Sequence, residues 1–272
     1  MISTDLTIGF IGAGNMATAL IEGLLATRIN ASQLWAADTA QDKLATFADK
    51  GINTTTDNAE IVRQCSIVVL AVKPQVMAKV VGALQPALAE HSCLLISIAA
   101  GISCASLQQW THPQQAIVRC MPNTPALVQA GASGLFANAL VSAEQKQAAQ
   151  NIMEAVGIAC WLDDEAQIDA VTALSGSGPA YFFLLMEAMQ DAAVKLGLPA
   201  DVALRLCLQT AFGAAKLALN SDVPAGELRR RVTSPGGTTE AAIKQFEAEQ
   251  FHAMVERALG KANTRSQELA RT

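Results

Sequence analysis

Thr7-Ile8-Gly9-Phe10-Ile11-Gly12-Ala13-Gly14-Asn15-Met16-Ala17-Thr18-Ala19-Leu20 is a short apolar run, a glycine turn and an alanine- and leucine-rich stretch, in that order. The run reads as a buried strand and the stretch as a helix. Gly12-x-Gly14-x-x-Ala17 is then a dinucleotide fingerprint with alanine in its third place. Gly12 permits a tight turn, Gly14 leaves bare backbone for a pyrophosphate, and Ala17 lets helix and strand pack closely. The helix start adds free N–H groups and a positive dipole end. Asp38 follows at a distance suited to a ribose. The competing reading is an ordinary glycine-rich turn.

The next segments repeat the rhythm. Gln33–Ala37 reads as a strand ending at Asp38, and Gln41–Lys50 as a helix. Thr56-Asp57-Asn58 looks like a cap for Ala59–Gln64. Ile67–Val72, Leu94–Ile98 and Ile117–Met121 are the runs expected of central parallel strands. Ser133–Ala137 and Ile158–Leu162 add edge strands with a helix between them. This βαβ alternation implies a doubly wound (Rossmann) α/β sheet. Its ligand sits outside the C-terminal strand ends. The glycine turn, Asp38, Ala71–Pro74, Ala99–Gly101 and Pro122–Pro125 all fall there.

Near Asp163-Asp164 strand-like runs cease, which suggests domains at 1–163 and 164–272. Ala166–Leu174 reads as a helix broken by Ser175-Gly176-Ser177-Gly178. Pro179–Leu196 follows, with proline at its first turn and Gly197 past its end. Pro199–Asn220, Glu227–Val232 and a last helix from about Glu240 to the end complete an all-α half. Before that last helix, Ser234-Pro235-Gly236-Gly237-Thr238-Thr239 places two hydroxyls and several bare N–H groups at a helix start. This is either an anion nest suited to a small carboxylate or a plain helix cap.

Bulk properties narrow the class. The chain has 272 residues, 51% hydrophobic and only 16% charged, which favours close helix packing, including packing across subunits. A net charge of -5 gives no electrostatic footprint for nucleic acid. The first apolar run is the glycine-turn strand, so no signal peptide is expected. The late run Ala180–Met186 is too short to span a bilayer. Six scattered cysteines without CxxC suggest reduced, mostly buried thiols in a cytoplasmic protein. His91, His112 and His252 form no metal-ligand spacing, and no metal is expected.

The motifs Gly9-Phe10-Ile11-Gly12-x-Gly14-Asn15-Met16, Ala71-Val72-Lys73-Pro74, Ser97–Gly101, Met121–Pro125, Ser175–Tyr181 and Ser234–Thr239 occur in this order. Together they resemble the pyrroline-5-carboxylate reductases over nearly the whole chain. The resemblance implies NAD(P)H-dependent reduction of the C=N bond of 1-pyrroline-5-carboxylate to L-proline, the last step of proline biosynthesis. It implies a helical C-terminal domain that interlocks in a homodimer, with higher oligomers left open and the active site at the dimer interface. Neither membrane nor nucleic acid is an expected partner.

Site roles follow from the resemblance. Ile11, Gly12, Ala13, Gly14, Asn15 and Met16 hold the pyrophosphate and adenosine side. Asp38 and Thr39 lie by the ribose, and Asn58 matches a cofactor contact. Ala71, Val72, Lys73 and Pro74, with Ile98, Ala99 and Ala100, run along the nicotinamide half. Gly236, Gly237, Thr238 and Thr239 meet the substrate carboxylate, and the Thr239 hydroxyl approaches the ring nitrogen. Asp222 stands where the family often has a glutamate. Lys73 is the second candidate acid, against a role in closing a strand end. Tyr181, the one tyrosine, reads as core or interface.

The cofactor stays open between NADPH and NADH. Asp38 suits an NAD ribose, whereas the family commonly uses NADPH. Two other functions compete. A related imine reductase or β-hydroxyacid dehydrogenase would place a catalytic lysine or aspartate where Ser175–Tyr181 has neither. A non-catalytic nucleotide sensor would not need the Ser234–Thr239 loop.

Overall fold

The computed structural model describes residues 6–270 of the chain. They form two compact units: the described residues of Met1–Ser177 and Ala262–Thr272, and Gly178–Lys261.

The first unit is built on an eight-stranded sheet. Its strands are β1 (Ile8–Ile11), β2 (Leu34–Ala37), β3 (Asn53–Thr55), β4 (Ile67–Leu70), β5 (Leu94–Ser97), β6 (Ile117–Met121), β7 (Gly131–Ala137) and β8 (Gly157–Trp161). Their spatial order is β3-β2-β1-β4-β5-β6-β7-β8. The first six are mutually parallel, β7 runs antiparallel to β6, and β8 is parallel to β7. The order reverses beside β1, between β2 and β4, and this opens the crevice of a doubly wound sheet. The short, polar β3 carries too little apolar signal to be read as a strand from sequence.

Helices cover both faces. Ile8, Phe10, Val69, Ile96 and Val118 face one core, shared with α1 (Asn15–Ala26), α2 (Gln41–Ala48) and α7 (Ala143–Glu154). Ile11, Val68, Leu70, Leu95 and Ile117 face the other, shared with α3 (Asn58–Gln64), α4 (Pro74–Gly82), α5 (Gln85–Glu90) and α6 (Cys104–Trp110). The uninterrupted apolar runs thus divide residue by residue between two cores, as the pleat requires. Gly9 is needed for packing, because a Cβ there would lie 2.3 Å from Ile61 Cγ2.

Helix α8 (Gln167–Val171) is not ended by the Ser-Gly stretch. It passes into a π-helical turn, Thr172–Gly176, before α9 (Gly178–Lys195) begins. Asn123 Nδ2 donates to Ser175 O at 3.0 Å and anchors this turn to the first unit. The change of composition at Asp163 and the change of packing at Ser177-Gly178 are therefore different points on the chain.

The second unit contains α9, α10 (Ala200–Leu219), α11 (Ala225–Arg231), α12 (Thr238–Ala248) and the first turns of α13 (Phe251–Leu269). The single last helix expected from sequence is two helices. Gln250, at φ 55°, takes the left-handed conformation and separates α12 from α13. The last turns of α13 pack with the first unit: Ser266 Oγ donates to Asp169 Oδ1 at 2.7 Å, and Leu269 lies against Gly101. The helix containing Gln167–Lys195 and α10 are each long and apolar enough to cross a membrane, unlike the short run Ala180–Met186 considered alone.

Candidate active site

The C-terminal ends of β1, β2, β4 and β5, with Asn58 after β3, carry the front set of candidate residues. Gly12, at φ 101°, makes the turn out of β1, and its N–H donates to Ala37 O at 2.8 Å. A Cβ there would lie 2.8 Å from Ala71 O, so the position excludes side chains both by conformation and by space. Gly14 is different. Its backbone is extended (φ -83°, ψ 177°), it caps α1 without a side chain, and a Cβ would meet nothing within 4 Å. The space over Gly14 is thus open toward the unpaired N–H groups of the first turn of α1. That open cradle fits a nucleotide pyrophosphate. Gly14 and Asn15 are exposed, Met16 is half-buried, and Ile11, Gly12 and Ala13 are buried.

Asp38 is tied into this loop. Its Oδ2 accepts from Ala13 N at 2.8 Å, its Oδ1 accepts from Ala40 N at 2.9 Å, and Lys43 Nζ is 3.9 Å away. Burial acts to raise the carboxyl pKa. The N–H groups of Ala13, Ala40 and Thr39 and the Lys43 charge outweigh it and hold the pKa below the usual carboxylate value. The carboxylate therefore fastens the β2 end to the glycine turn, an interaction with no pattern in the sequence. Thr39 is exposed beside it.

Asn58 opens α3, with Asp57 Oδ1 as the cap accepting from Ala59 N at 2.9 Å. The Asn58 side chain has no hydrogen-bond partner among the described residues. Ala71 N donates to Ile11 O at 2.9 Å and Ile98 N to Leu70 O at 3.3 Å, so these loops continue the sheet pairing past the strand ends. Lys73, exposed, caps α4 and Pro74 fills its first turn. Ala99 is buried, while Ile98 and Ala100 are half-buried on the same edge.

The rear set lies in the second unit. Gly236, at φ 72°, turns the chain, Gly237 caps α12, and Thr238 and Thr239 are its first two residues. Gly236 N donates to Glu240 Oε2 at 2.8 Å and Gly237 N donates to Ser234 O at 3.0 Å. Two of the four expected carboxylate donors are thus occupied within the loop. The N–H groups of Thr238 and Thr239 have no intrahelical partner at these positions, and both residues are exposed. Asp222 is exposed in the turn between α10 and α11. Tyr181 is half-buried on α9.

Sequence reasoning passed over one buried pair. Arg119, in the middle of β6, is 5% exposed, and its Nη1 donates to Glu165 Oε1 at 2.9 Å. The same oxygen accepts from Cys104 N at 2.8 Å. Arg119 Nε has no hydrogen-bond partner among the described residues. The signal was present as a lone charge inside the apolar run Ile117–Met121. The cysteines are all free, and all but Cys160 are buried. Burial pushes Cys65, Cys93 and Cys104 up to about 12, which leaves these thiols inert.

Comparison with known proteins bears on this geometry. A curated pyrroline-5-carboxylate reductase of Pseudomonas aeruginosa is 60% identical over 264 residues, covering 97% of this chain and 96% of its own length. This chain belongs to the pyrroline-5-carboxylate reductase family. A model described as pyrroline-5-carboxylate reductase dimerisation matches residues 165–269, and one described as NADP oxidoreductase, coenzyme F420-dependent, matches residues 7–101. The solved structure of a family member from Coxiella burnetii has a TM-score of 0.95 and 44% identity, covering 98% of this chain and 99% of that one. A Plasmodium falciparum pyrroline carboxylate reductase, solved with NADP bound, has a TM-score of 0.86 and 32% identity, with 98% and 99% covered.

Proposed function

We infer that this chain catalyses the NAD(P)H-dependent reduction of 1-pyrroline-5-carboxylate to L-proline, the closing step of proline biosynthesis. Family membership, with 97% of this chain and 96% of the relative matched, supports the reaction. The observation that carries the site assignment is the open space over Gly14 at the α1 start, in a crevice of the doubly wound sheet.

Hydride for the ring carbon is the chemistry that the nicotinamide supplies when bound. Ile11–Met16 hold the pyrophosphate through main-chain donors. Asp38, Thr39 and Asn58 line the adenosine side, and Asp38 acts there through its grip on Ala13. Ala71–Pro74 and Ile98–Ala100 line the nicotinamide side. The free N–H groups of Thr238 and Thr239 take the substrate carboxylate, with Gly236 and Gly237 shaping the turn beneath them. A protonated imine already carries the electrophilic charge. Hydride addition at carbon moves the C=N electron pair onto nitrogen, so orientation carries most of the demand. The Thr239 hydroxyl holds the nitrogen. Lys73 is the second candidate for a proton donor, and Asp222 supports the substrate side. NADPH and NADH both fit the donors described.

The chain works as a homodimer through its helical half, with 1–163 as the nucleotide part and 164–272 as the substrate and dimerisation part. The description of the matching model supports this over a membrane-spanning role, and the exposed apolar side chains of α9 and α10 offer surface for the contact. A cytoplasmic location agrees with six free thiols.

The deciding assay is NAD(P)H oxidation with pyrroline-5-carboxylate, run beside 1-pyrroline without the carboxylate. A strong preference for the acid is expected. Equal rates would remove the carboxylate role of the Thr238–Thr239 donors.

A further inference from the structure

The first turn of α12 contains a carboxylate that the reaction, as described, does not use. Glu240 is the third residue of α12, and its side chain turns back against the chain direction. One oxygen, Oε2, accepts from Gly236 N at 2.8 Å, and the other, Oε1, lies 3.2 Å from Lys244 Nζ one helical turn on. The Gly236 hydrogen bond, then Lys244, hold the Glu240 carboxyl below its usual range, so it stays ionised at neutral pH. In a standard capping box a glutamate at this place bonds the N–H of the cap residue itself. Here the cap residue is Gly237, whose N–H goes to Ser234 O, and Glu240 reaches one residue further to Gly236.

We propose that Glu240 is a positioning residue for substrate binding: it holds Gly236 in its left-handed conformation and keeps that N–H away from the substrate. The carboxylate of the ring then has the N–H groups of Thr238 and Thr239 at the start of α12, while those of Gly236 and Gly237 are taken within the turn. Three facts combine here. Gly236 sits at φ 72°, a conformation with many alternatives open to glycine in a loop without restraint. A Cβ at Gly236 would meet nothing within 4 Å, so no neighbouring side chain packs onto the position and hydrogen bonds hold the turn. The Glu240 bond is therefore a second, side-chain restraint on a turn that is otherwise closed by the Gly237 N to Ser234 O bond alone. Lys244 balances the Glu240 charge, so a second carboxylate arriving beside it is not repelled by a bare anion. An entropy cost that would fall on substrate binding is met in advance by folding.

This inference rests on the substrate-loop assignment above, and its test separates the two. In Glu240→Ala the KM for pyrroline-5-carboxylate should rise about tenfold, with kcat within about twofold and the KM for NADPH unchanged, as expected for loss of uniform substrate binding. Glu240→Gln keeps an acceptor oxygen at the same reach and should recover most of the KM. A merely structural cap would lower the melting temperature of Glu240→Ala without this selective change. The proposal is overturned if the substrate KM stays within twofold, if the NADPH KM rises in step, or if the glutamine variant is as impaired as the alanine one. If the unaltered enzyme shows no preference for the acid over 1-pyrroline, the loop assignment falls and this inference falls with it. If that preference holds while Glu240→Ala is silent, only this inference falls.

Discussion

The two units dispose of their apolar surface in opposite ways. In the first, β1, β4 and β5 are buried along their whole length between two layers of helices, and Phe10, Val69 and Ile96 are fully inaccessible. In the second, Phe182, Phe183 and Phe212 are at least 60% exposed, and Leu206 and Leu208 lie open on α10 beside Arg205 and Gln209. A sheet covered on both sides completes its own core. Apolar helices left uncovered on most sides require a partner, and apolar surface of this kind marks an interaction surface. The contrast gives the first unit a core complete in itself and leaves the helical unit with apolar surface for association.

The sharpest way to break this contrast is to charge the open face. Phe212→Asp with Leu206→Asp should dissociate the oligomer, since paired interfacial anchors cost about 2–4 kcal/mol each when lost and a twofold interface counts every change twice. Sedimentation should show monomer, and reductase activity should fall at least tenfold while NADPH still binds. A variant that remains dimeric would place the interface elsewhere.

The next effect concerns how the first unit is closed. Arg119→Met leaves Glu165 without its buried cation, and breaking such a pair costs about 3–5 kcal/mol. Denaturant unfolding should show that loss. The double variant Arg119→Met with Glu165→Leu should recover part of it, because it removes the carboxylate left without its cation while Cys104 N loses its acceptor.

A smaller effect separates the two fingerprint glycines. Gly12→Ala places a Cβ against Ala71 O at positive φ and should cost about 2–3 kcal/mol of stability. Gly14→Ala meets no protein atom and should melt like the parent, yet bind NADPH at least tenfold more weakly. Equal melting losses in the two variants would contradict the open cradle over Gly14.

The smallest effect is a pH dependence. Because the folded-state pKa of Asp38 is lowered, its contribution is fully present above the ordinary aspartate value and fades as pH falls through the lower folded value. The parent should therefore lose more stability than Asp38→Asn on acidification below about pH 4. Parallel pH profiles would show that the Asp38 carboxylate does not hold the glycine turn.

Much of the architecture was legible because it rests on periodicity and on glycine and proline chemistry. The parallel strands, the Asp57 cap, the first-turn Pro74 and Gly197 past the end of α9 all lie where local rules put them. Two misreadings share one cause. Strand β3 and the π-helical turn at Thr172–Gly176 are held by partners distant in the chain. The break at Gln250 is a local left-handed turn at a residue type that does not announce one. Asn53 pairs opposite Trp35, and Asn123 grips Ser175 from 52 residues away.

Taken alone, the amino-acid order determined the doubly wound front half, the helical rear half and the two loops whose glycines leave backbone donors bare. Those features depend on residue type over a few neighbouring positions. Only the folded chain decided which of those donors remain free. Asp38 takes the N–H of Ala13 and Glu240 takes that of Gly236, and Arg119 finds Glu165 across the chain. Such partnerships depend on where side chains end in space, and a hydrogen bond is set by distances of about 3 Å between atoms that sequence separation does not constrain.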